Sequence, residues 1–479
     1  MRSLPCCAGS VGFDRAQNVA RGAHHFHDNT GRRHYAGSMK MLHVSLACLL
    51  STGAIAQVLP APLTDADYFD VDMEEARLGQ LLFYDPILSG NRQIACATCH
   101  QPDLGTSDGL SLSFGDGGIG FGPGRYADPD NMPEKRIPRN SPALFNVGAR
   151  GFTVMFHDGR LELDPSQPSG IRTPLGEEMM TGFNSLLSAQ TMFPVLSRDE
   201  MAGSYSENDV AKLVRQGIIT GEGGAWDVLS HRVAALPEYA DAFEDVYPHI
   251  TGPDDIAFTD ISNAIAAFVA MEWRSDSAPF DAVLAGEATL EGPAKAGMEL
   301  FYGAAGCAAC HSGPLLTDQK FYAMGAPQLG PGKAATFETH TRDDGRFRVT
   351  GRGEDRYAFR TPSLRNVALT APYGHAGGHR DLAQFVADHA RPGESLATYD
   401  RTQAILPAFA AKDFEVMDDP AQVAAIAAAV TTVPVTLQSQ DIENLVAFLE
   451  TLTDPVSISG RLGVPETVPS GLEVPTVNK

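Results

Sequence analysis

No apolar run in the chain reaches the roughly 18 residues that a membrane-crossing helix needs, so no stable span is expected. Basic residues are scarce: 36 Lys and Arg stand against 59 Asp and Glu, a formal net charge of −23. That imbalance argues against nucleic acid and anionic membrane surfaces as partners. Tryptophan is nearly missing, Trp226 and Trp273 being the only two. The 47 Gly and 32 Pro follow no period, which excludes a collagen-like chain and points to long ordered loops. Wholesale disorder is excluded as well, because 43 % hydrophobic and 20 % charged residues fit a folded protein. At roughly 100–200 residues per domain, the length allows two to four domains.

The first 56 residues read as separate from the folded protein. Met39-Lys40-Met41 gives a basic start, Leu42 to Leu50 a short apolar core, and Ala54-Ile55-Ala56 a small-x-small end. Together they form a secretory signal peptide over 39–56, cleaved before Gln57. Residues 1–38 carry no apolar period and are read as an upstream extension from a wrongly assigned start. A buried helix over 42–56 is the alternative, and a lipid anchor on Cys48 a lesser one. Removing residues 1–56 takes away six bases and two acids, leaving 30 against 57, a net of −27.

Cys6, Cys7 and Cys48 leave with that leader, so four of seven cysteines remain. In an exported protein four cysteines ordinarily mean disulfides. Here all four fall in two motifs, Cys96-Ala-Thr-Cys99-His100 and Cys307-Ala-Ala-Cys310-His311. In Cys-x-x-Cys-His the thiols add to haem vinyl groups and the adjacent imidazole ligates the iron. All three residues must share one helical turn for this to work. The competing reading is a joint zinc site made by all four thiolates, which leaves unexplained why a His follows each pair. The motifs predict two covalently bound c-type haems and no disulfide.

About 210 residues separate the motifs, which places them in two domains. Apolar spacing predicts helices over Glu74–Phe83 and Pro293–Tyr302, one before each motif. Further helices are expected over Asp209–Ile218, Trp226–Leu236, Asp260–Trp273, Asp381–Ala390, Ala421–Val430 and Asp441–Leu452. Thr259 and Ser439 are the expected N-caps of two of them. The fold expected is mainly α, two class-I cytochrome c-like domains joined by long Gly/Pro-rich loops. The boundaries are 57–255, 256–455 and an extended tail over 456–479.

Between and around the motifs the chain resembles the bacterial di-haem cytochrome c peroxidase/MauG family over most of residues 65–455. Ala95 to His100, Pro138-Arg139-Asn140-Ser141-Pro142 and Phe156-His157-Asp158-Gly159-Arg160 carry the likeness, with Gln190 to Met201 and Thr361 to His375. The resemblance implies that the His100 haem is the reactive one, with an open distal side. Gln190, Pro194 and Glu200 hold the family's distal positions. Splitting an O–O bond needs a group that takes a proton from one oxygen and returns it to the other. Glu200 is the candidate for that acid/base work, Gln190 orients the bound water or peroxide, and Pro194 shapes the distal wall. For Glu200 the alternative is a solvated surface acid.

His311 is the proximal ligand of the second, electron-transferring haem. The family's peroxidases place a Met on its other side and MauG a Tyr. Counting the same interval from Leu382 lands on His389, which departs from both and implies His/His ligation. Such ligation lowers the potential relative to Met/His. His379 is the other candidate, and a surface histidine the plain alternative. His375, in the motif Pro372-Tyr373-Gly374-His375, reads as a group supporting the site. The family's calcium ion maps onto Asn140, Thr370 and Pro372, oxygen donors suited to a hard cation; Asn140 closing a turn is the alternative. The family's Trp between the haems is replaced here by His157, and residues 161–189 are a longer insertion able to cover the reactive haem.

The resemblance implies a periplasmic enzyme that reduces hydrogen peroxide to water with electrons from a small cytochrome c or cupredoxin. A MauG-like oxidation of side chains in a partner protein is the second reading. A non-enzymatic electron-transfer cytochrome is the third, and it predicts ligands on both faces of both irons. A homodimer is one assembly left open.

Overall fold

The helices expected ahead of the two motifs are both present in the computed structural model, which describes residues 59–335 and 338–477. The first runs Met73–Tyr84, and Asp72 caps it by accepting from the Glu74 and Glu75 amides at 2.8 and 3.1 Å. Its buried face of Ala76, Leu78, Gly79, Leu82, Phe83 and Tyr84 packs on the helix Phe258–Glu272. That second helix is apolar nearly all round and accordingly buried nearly all round. The crossing is close because Gly79 has no side chain: a Cβ there would lie 1.8 Å from the Ala264 carbonyl oxygen.

The same device recurs in the second half. Helix Gly292–Tyr302 crosses Ser439–Glu450, and a Cβ on Gly297 would lie 1.8 Å from the Asn444 carbonyl oxygen. Alanine is the better helix former by about 1 kcal/mol, yet here it forces the helices apart. Gly79→Ala and Gly297→Ala are therefore each expected to destabilise, by about 1–3 kcal/mol for overpacking of this kind. Thermal unfolding checks this, and an unchanged or raised Tm contradicts the close crossing.

Each crossing anchors its own apolar core. One cluster gathers Tyr68 through Trp273, with Leu315 and the tail residues Val468 and Val474, and the other gathers Phe280 through Leu452. Phe258–Glu272 is the central helix of the first cluster, and the second begins at Phe280. Trp273 packs there on Phe83 and Phe268, with ring centres 5.2 and 5.3 Å away.

The molecule is mainly helical with few strands. The expected helices appear as Asp209–Gln216, Ala225–Ala234, Leu382–His389 and Pro420–Ala428 besides those above. The two expected caps are corrected. Thr259 and Ser439 lie inside their helices, which start from Ala257 and Gln438. The capping groups are instead Asp260 and Asp441, whose carboxylates reach back to the Ala257 and Gln438 amides at 2.9 and 2.8 Å. Helices Leu186–Thr191, Pro237–Val246 and Pro279–Leu284 were not anticipated. They are short, and two begin with a proline, which at the first helical position starts a helix.

The insertion 161–189 contributes strands Leu161–Leu163 and Ile171–Arg172, which join Val154–Met155 in a three-stranded antiparallel sheet. Arg346, from the second half, ties this sheet down through Glu162 at 2.7 Å and the Gly159 carbonyl at 2.6 Å. The tail is not simply extended. After the turn Pro455–Ser459 it returns to the first core, where Glu272 accepts from the amides of Arg461, Leu462 and Gly463 at 2.6–2.9 Å. Signal peptide and upstream extension lie outside the described residues.

Candidate functional site

Cys96–Cys99 forms one helical turn, started by the Thr98 hydroxyl accepting from the Ala95 amide at 3.0 Å. The His100 amide closes the turn on the Cys96 carbonyl at 3.0 Å, which sets both thiols and the imidazole on one short segment. His100 Nδ1 lies 2.9 Å from the Thr106 carbonyl oxygen. A carbonyl only accepts, so Nδ1 carries the proton and Nε2 keeps its lone pair. Ser141 supports the segment by donating to the Cys99 carbonyl at 2.8 Å.

The second motif repeats this arrangement on a tighter turn, Cys307–Ala309. His311 Nδ1 faces the Leu316 carbonyl at 3.2 Å, which again leaves Nε2 as the ligating nitrogen. All four thiols are free of disulfides. Cys96 packs against the first core and Cys307 against the second, so the two pairs do not converge on one tetrahedral zinc site.

Across from His311 stands His389, at the end of helix Leu382–His389, which Asp381 caps at the Gln384 amide at 2.7 Å. The two imidazole centres are 6.4 Å apart, with planes inclined by 53°. An ion held between two imidazoles, roughly 2 Å from each nitrogen, sets ring centres roughly 6.3 Å apart. The spacing therefore fits an iron. Burial, with His311 and His379 nearby, pulls the His389 pKa down to about 4, which keeps the ring in the neutral form a metal needs. His379 is placed otherwise: its Nε2 meets the Asp388 carboxylate at 3.0 Å, and its Nδ1 is buried without a hydrogen-bond partner.

The three residues expected on the distal side of the first site lie on three short consecutive elements. Gln190 sits on helix Leu186–Thr191, Pro194 opens the 3-10 turn Pro194–Leu196, and Glu200 lies in the single π-turn Arg198–Ala202. Such π-turns are frequent at functional sites. Gln190 Oε1 is buried with no hydrogen-bond partner, an acceptor awaiting a donor. Phe193, beside Pro194, meets Phe156 and Trp226 edge-on, with ring centres 6.3 and 6.2 Å away. Gly115 lets its strand of backbone approach the π-turn, since a Cβ there would lie 2.3 Å from the Glu200 carbonyl oxygen.

Glu200 is half-buried, and desolvation raises its pKa, opposed by Lys333 and then Arg160. Lys333 is itself pulled down to about 8 by burial and by Arg160 and Arg139. Arg160 stacks 3.5 Å from the centre of the Phe156 ring and pairs with Asp158 at 3.2 Å. Behind it Arg139 is held by Asp158 and Asp343, each at 2.7 Å. Sequence reasoning missed Lys333, because nothing local distinguishes that loop residue. Only the chain path from the second half brings its charge to Glu200.

Between the two sites, His157 Nε2 lies 3.1 Å from the Asn140 carbonyl oxygen, and burial with Arg139 pulls its pKa down to about 3. His375 stacks on Phe359 with centres 3.8 Å apart, and its carbonyl accepts from the Asn140 amide at 2.9 Å. Asn140 donates its side-chain amide to the Leu110 carbonyl at 2.8 Å, so its Oδ1 is the acceptor left for a cation. Thr370 precedes the Ala371–Pro372 peptide that leads to His375.

Residues 73–289 match the family model described as di-haem cytochrome c peroxidase. The cytochrome c551 peroxidase of Pseudomonas aeruginosa is 30% identical over 350 residues, covering 72% of this chain and 81% of that one. The methylamine utilization protein MauG of Methylorubrum extorquens is 30% identical over 391 residues, covering 81% and 80%. Among solved structures, a MauG-like protein associated with microbial copper homeostasis aligns at TM-score 0.53 and 25% identity, over 84% of this chain and 95% of that one. The diheme peroxidase BthA from Burkholderia thailandensis shares the fold at TM-score 0.55 and 20% identity, over 88% and 95%.

Proposed function

Because this chain belongs to the di-haem cytochrome c peroxidase family, we propose that it is an exported peroxidase that reduces hydrogen peroxide to two waters. The reaction consumes two electrons and two protons. The haems are bound covalently through Cys96 and Cys99 and through Cys307 and Cys310, with His100 and His311 as proximal ligands. A bound haem supplies the iron that takes up peroxide and passes electrons to it.

One observation carries the reading: the two sites are built unequally. His311 faces a second imidazole at a spacing that closes an iron from both sides, which suits electron transfer. The first site instead carries a half-buried carboxylate, Glu200, and an orphaned amide oxygen on Gln190. Gln190 Oε1 accepts a hydrogen bond from the incoming peroxide, and Pro194 and Phe193 fill the wall beside it. Glu200 takes the proton of the near oxygen and delivers it to the far one, which leaves as water. Asn140, Thr370 and Pro372 hold a calcium ion that fixes the loops between the sites. The tail and Arg346 keep both halves in register.

Electrons come from a small cytochrome or copper protein in the periplasm, to which the segment 39–56 directs the chain. Among the described residues no helix is long and apolar enough to cross a membrane. A second reading, oxidation of side chains in a partner protein, is favoured by His389, which stands where a peroxidase has a thioether. Steady-state turnover of peroxide with a reduced small cytochrome is expected, and its failure beside oxidation of a protein substrate would favour the second reading.

Intact mass of the exported chain tests the cofactors. We expect a chain beginning at Gln57 that carries two haems. A single haem, or a loss of two hydrogens to a disulfide, contradicts the assignment of the four cysteines.

A further inference from the structure

Arg360 ends the short strand Phe359–Arg360, which pairs with Phe321–Tyr322. Its Nε donates to the Phe156 carbonyl at 3.2 Å, one terminal nitrogen reaches the Thr361 carbonyl at 3.3 Å, and the guanidinium lies 5.8 Å from the centre of the Phe152 ring. The group is half-buried, and desolvation pulls its pKa down to about 10, with no carboxylate among the causes. The more deeply buried arginines are paired: Arg139 with Asp158 and Asp343, Arg346 with Glu162, Arg365 with Asp281, Arg136 with Asp413. Arg125 has no ion pair but donates to three carbonyls at 2.6–3.0 Å. Arg360 has two longer bonds for five N–H groups, and a guanidinium keeps its charge at any working pH. A half-buried cation without an acid has lost part of its hydration, and an anion beside it would replace that loss.

Its position says what the missing anion is. The Arg360 amide donates to the His157 carbonyl at 2.9 Å, and His157 meets Asn140, next to the Ser141 that supports Cys99. On the other side, Thr361 donates to the Lys320 carbonyl at 2.8 Å and its carbonyl accepts from Thr317 at 2.6 Å, in the loop following His311. Arg360 is thus linked to the segments that carry both Cys-x-x-Cys-His motifs, and a haem bound at either one would bring two propionate carboxylates.

We propose that Arg360 is a carboxylate-binding residue whose ligand is a haem propionate. The inference rests on the haem reading of the two motifs. A guanidinium fork matches a carboxylate with two parallel charge-assisted bonds, and the retained positive charge favours the reduced, less positive iron of that haem.

The test uses purified holoprotein with Arg360→Gln and Arg360→Lys. Haem content is measured first; wild-type protein without two haems would fail the haem reading, not this one. Spectroelectrochemical titration then follows each haem separately. The Gln variant is expected to lower the potential of one haem, and the Lys variant to recover most of that shift. Which haem moves identifies the source of the propionate, the His100 site or the His311 site. Two loaded haems with unshifted potentials, or equal shifts of both, overturn the proposal. If the Gln variant does not assemble, resonance Raman of the Lys variant decides. A displaced propionate bending band supports the contact, and a band identical to wild type refutes it.

Discussion

Glu200→Gln is expected to keep both haems and lose peroxide reactivity by about 10²–10⁴-fold, the usual worth of positioned acid/base help. The amide matches the carboxylate in shape and can still hydrogen-bond, so the loss isolates proton transfer. Desolvation raises the Glu200 pKa, the direction that suits a group taking and returning a proton. The sign follows. Glu200 accepts a proton only when ionised, so the rate falls as pH drops through its raised pKa. This acid limb lies above that of an ordinary carboxylate and disappears in the Gln variant. Lys333 holds that pKa down, so Lys333→Met is expected to move the limb to higher pH while leaving haem content unchanged. Stopped-flow reaction with peroxide across pH measures all three proteins. Near wild-type rates for Glu200→Gln would make Glu200 a bystander in the pocket.

His389→Ala is expected to convert the His311 haem from six-coordinate low-spin to high-spin and to open a second site for carbon monoxide. The ring leaves 6.4 Å between its centre and that of His311, too close for a further ligand and matched to one iron. Truncation removes the ligand outright, and the nearby His379 is held away by Asp388. His389→Met gives the complementary result. The iron stays low-spin while its potential rises, because a thioether favours the ferrous state. Magnetic resonance and near-infrared charge-transfer bands separate the two ligand sets. If neither substitution changes spin state or potential, the sixth ligand lies elsewhere, and the spacing counted from Leu382 loses its meaning.

Both sites were partly legible in the chain because their chemistry is local. A Cys-x-x-Cys-His turn needs five consecutive residues, and the carbonyls that fix the two imidazoles follow within six. Gln190, Pro194 and Glu200 fall within eleven residues, and the interval from Leu382 to His389 is two turns of a helix whose period the apolar residues show. Caps proved harder to place. Asp260 and Asp441 do the capping from inside the helix, where a carboxylate reads like any other acid in a first turn.

Sequence by itself determined the two Cys-x-x-Cys-His turns, the helices before them and the place of His389 two helical turns after Leu382, since each depends on neighbours along the chain. Tertiary structure decided what surrounds them. It set Lys333 and Arg160 against Glu200, drew Arg139 to Asp343, returned the tail to Glu272, and left Arg360 half-buried without an acid. These are meetings of residues up to about 200 positions apart. Their energies depend on burial and on distances of a few ångströms, neither of which is written in local composition.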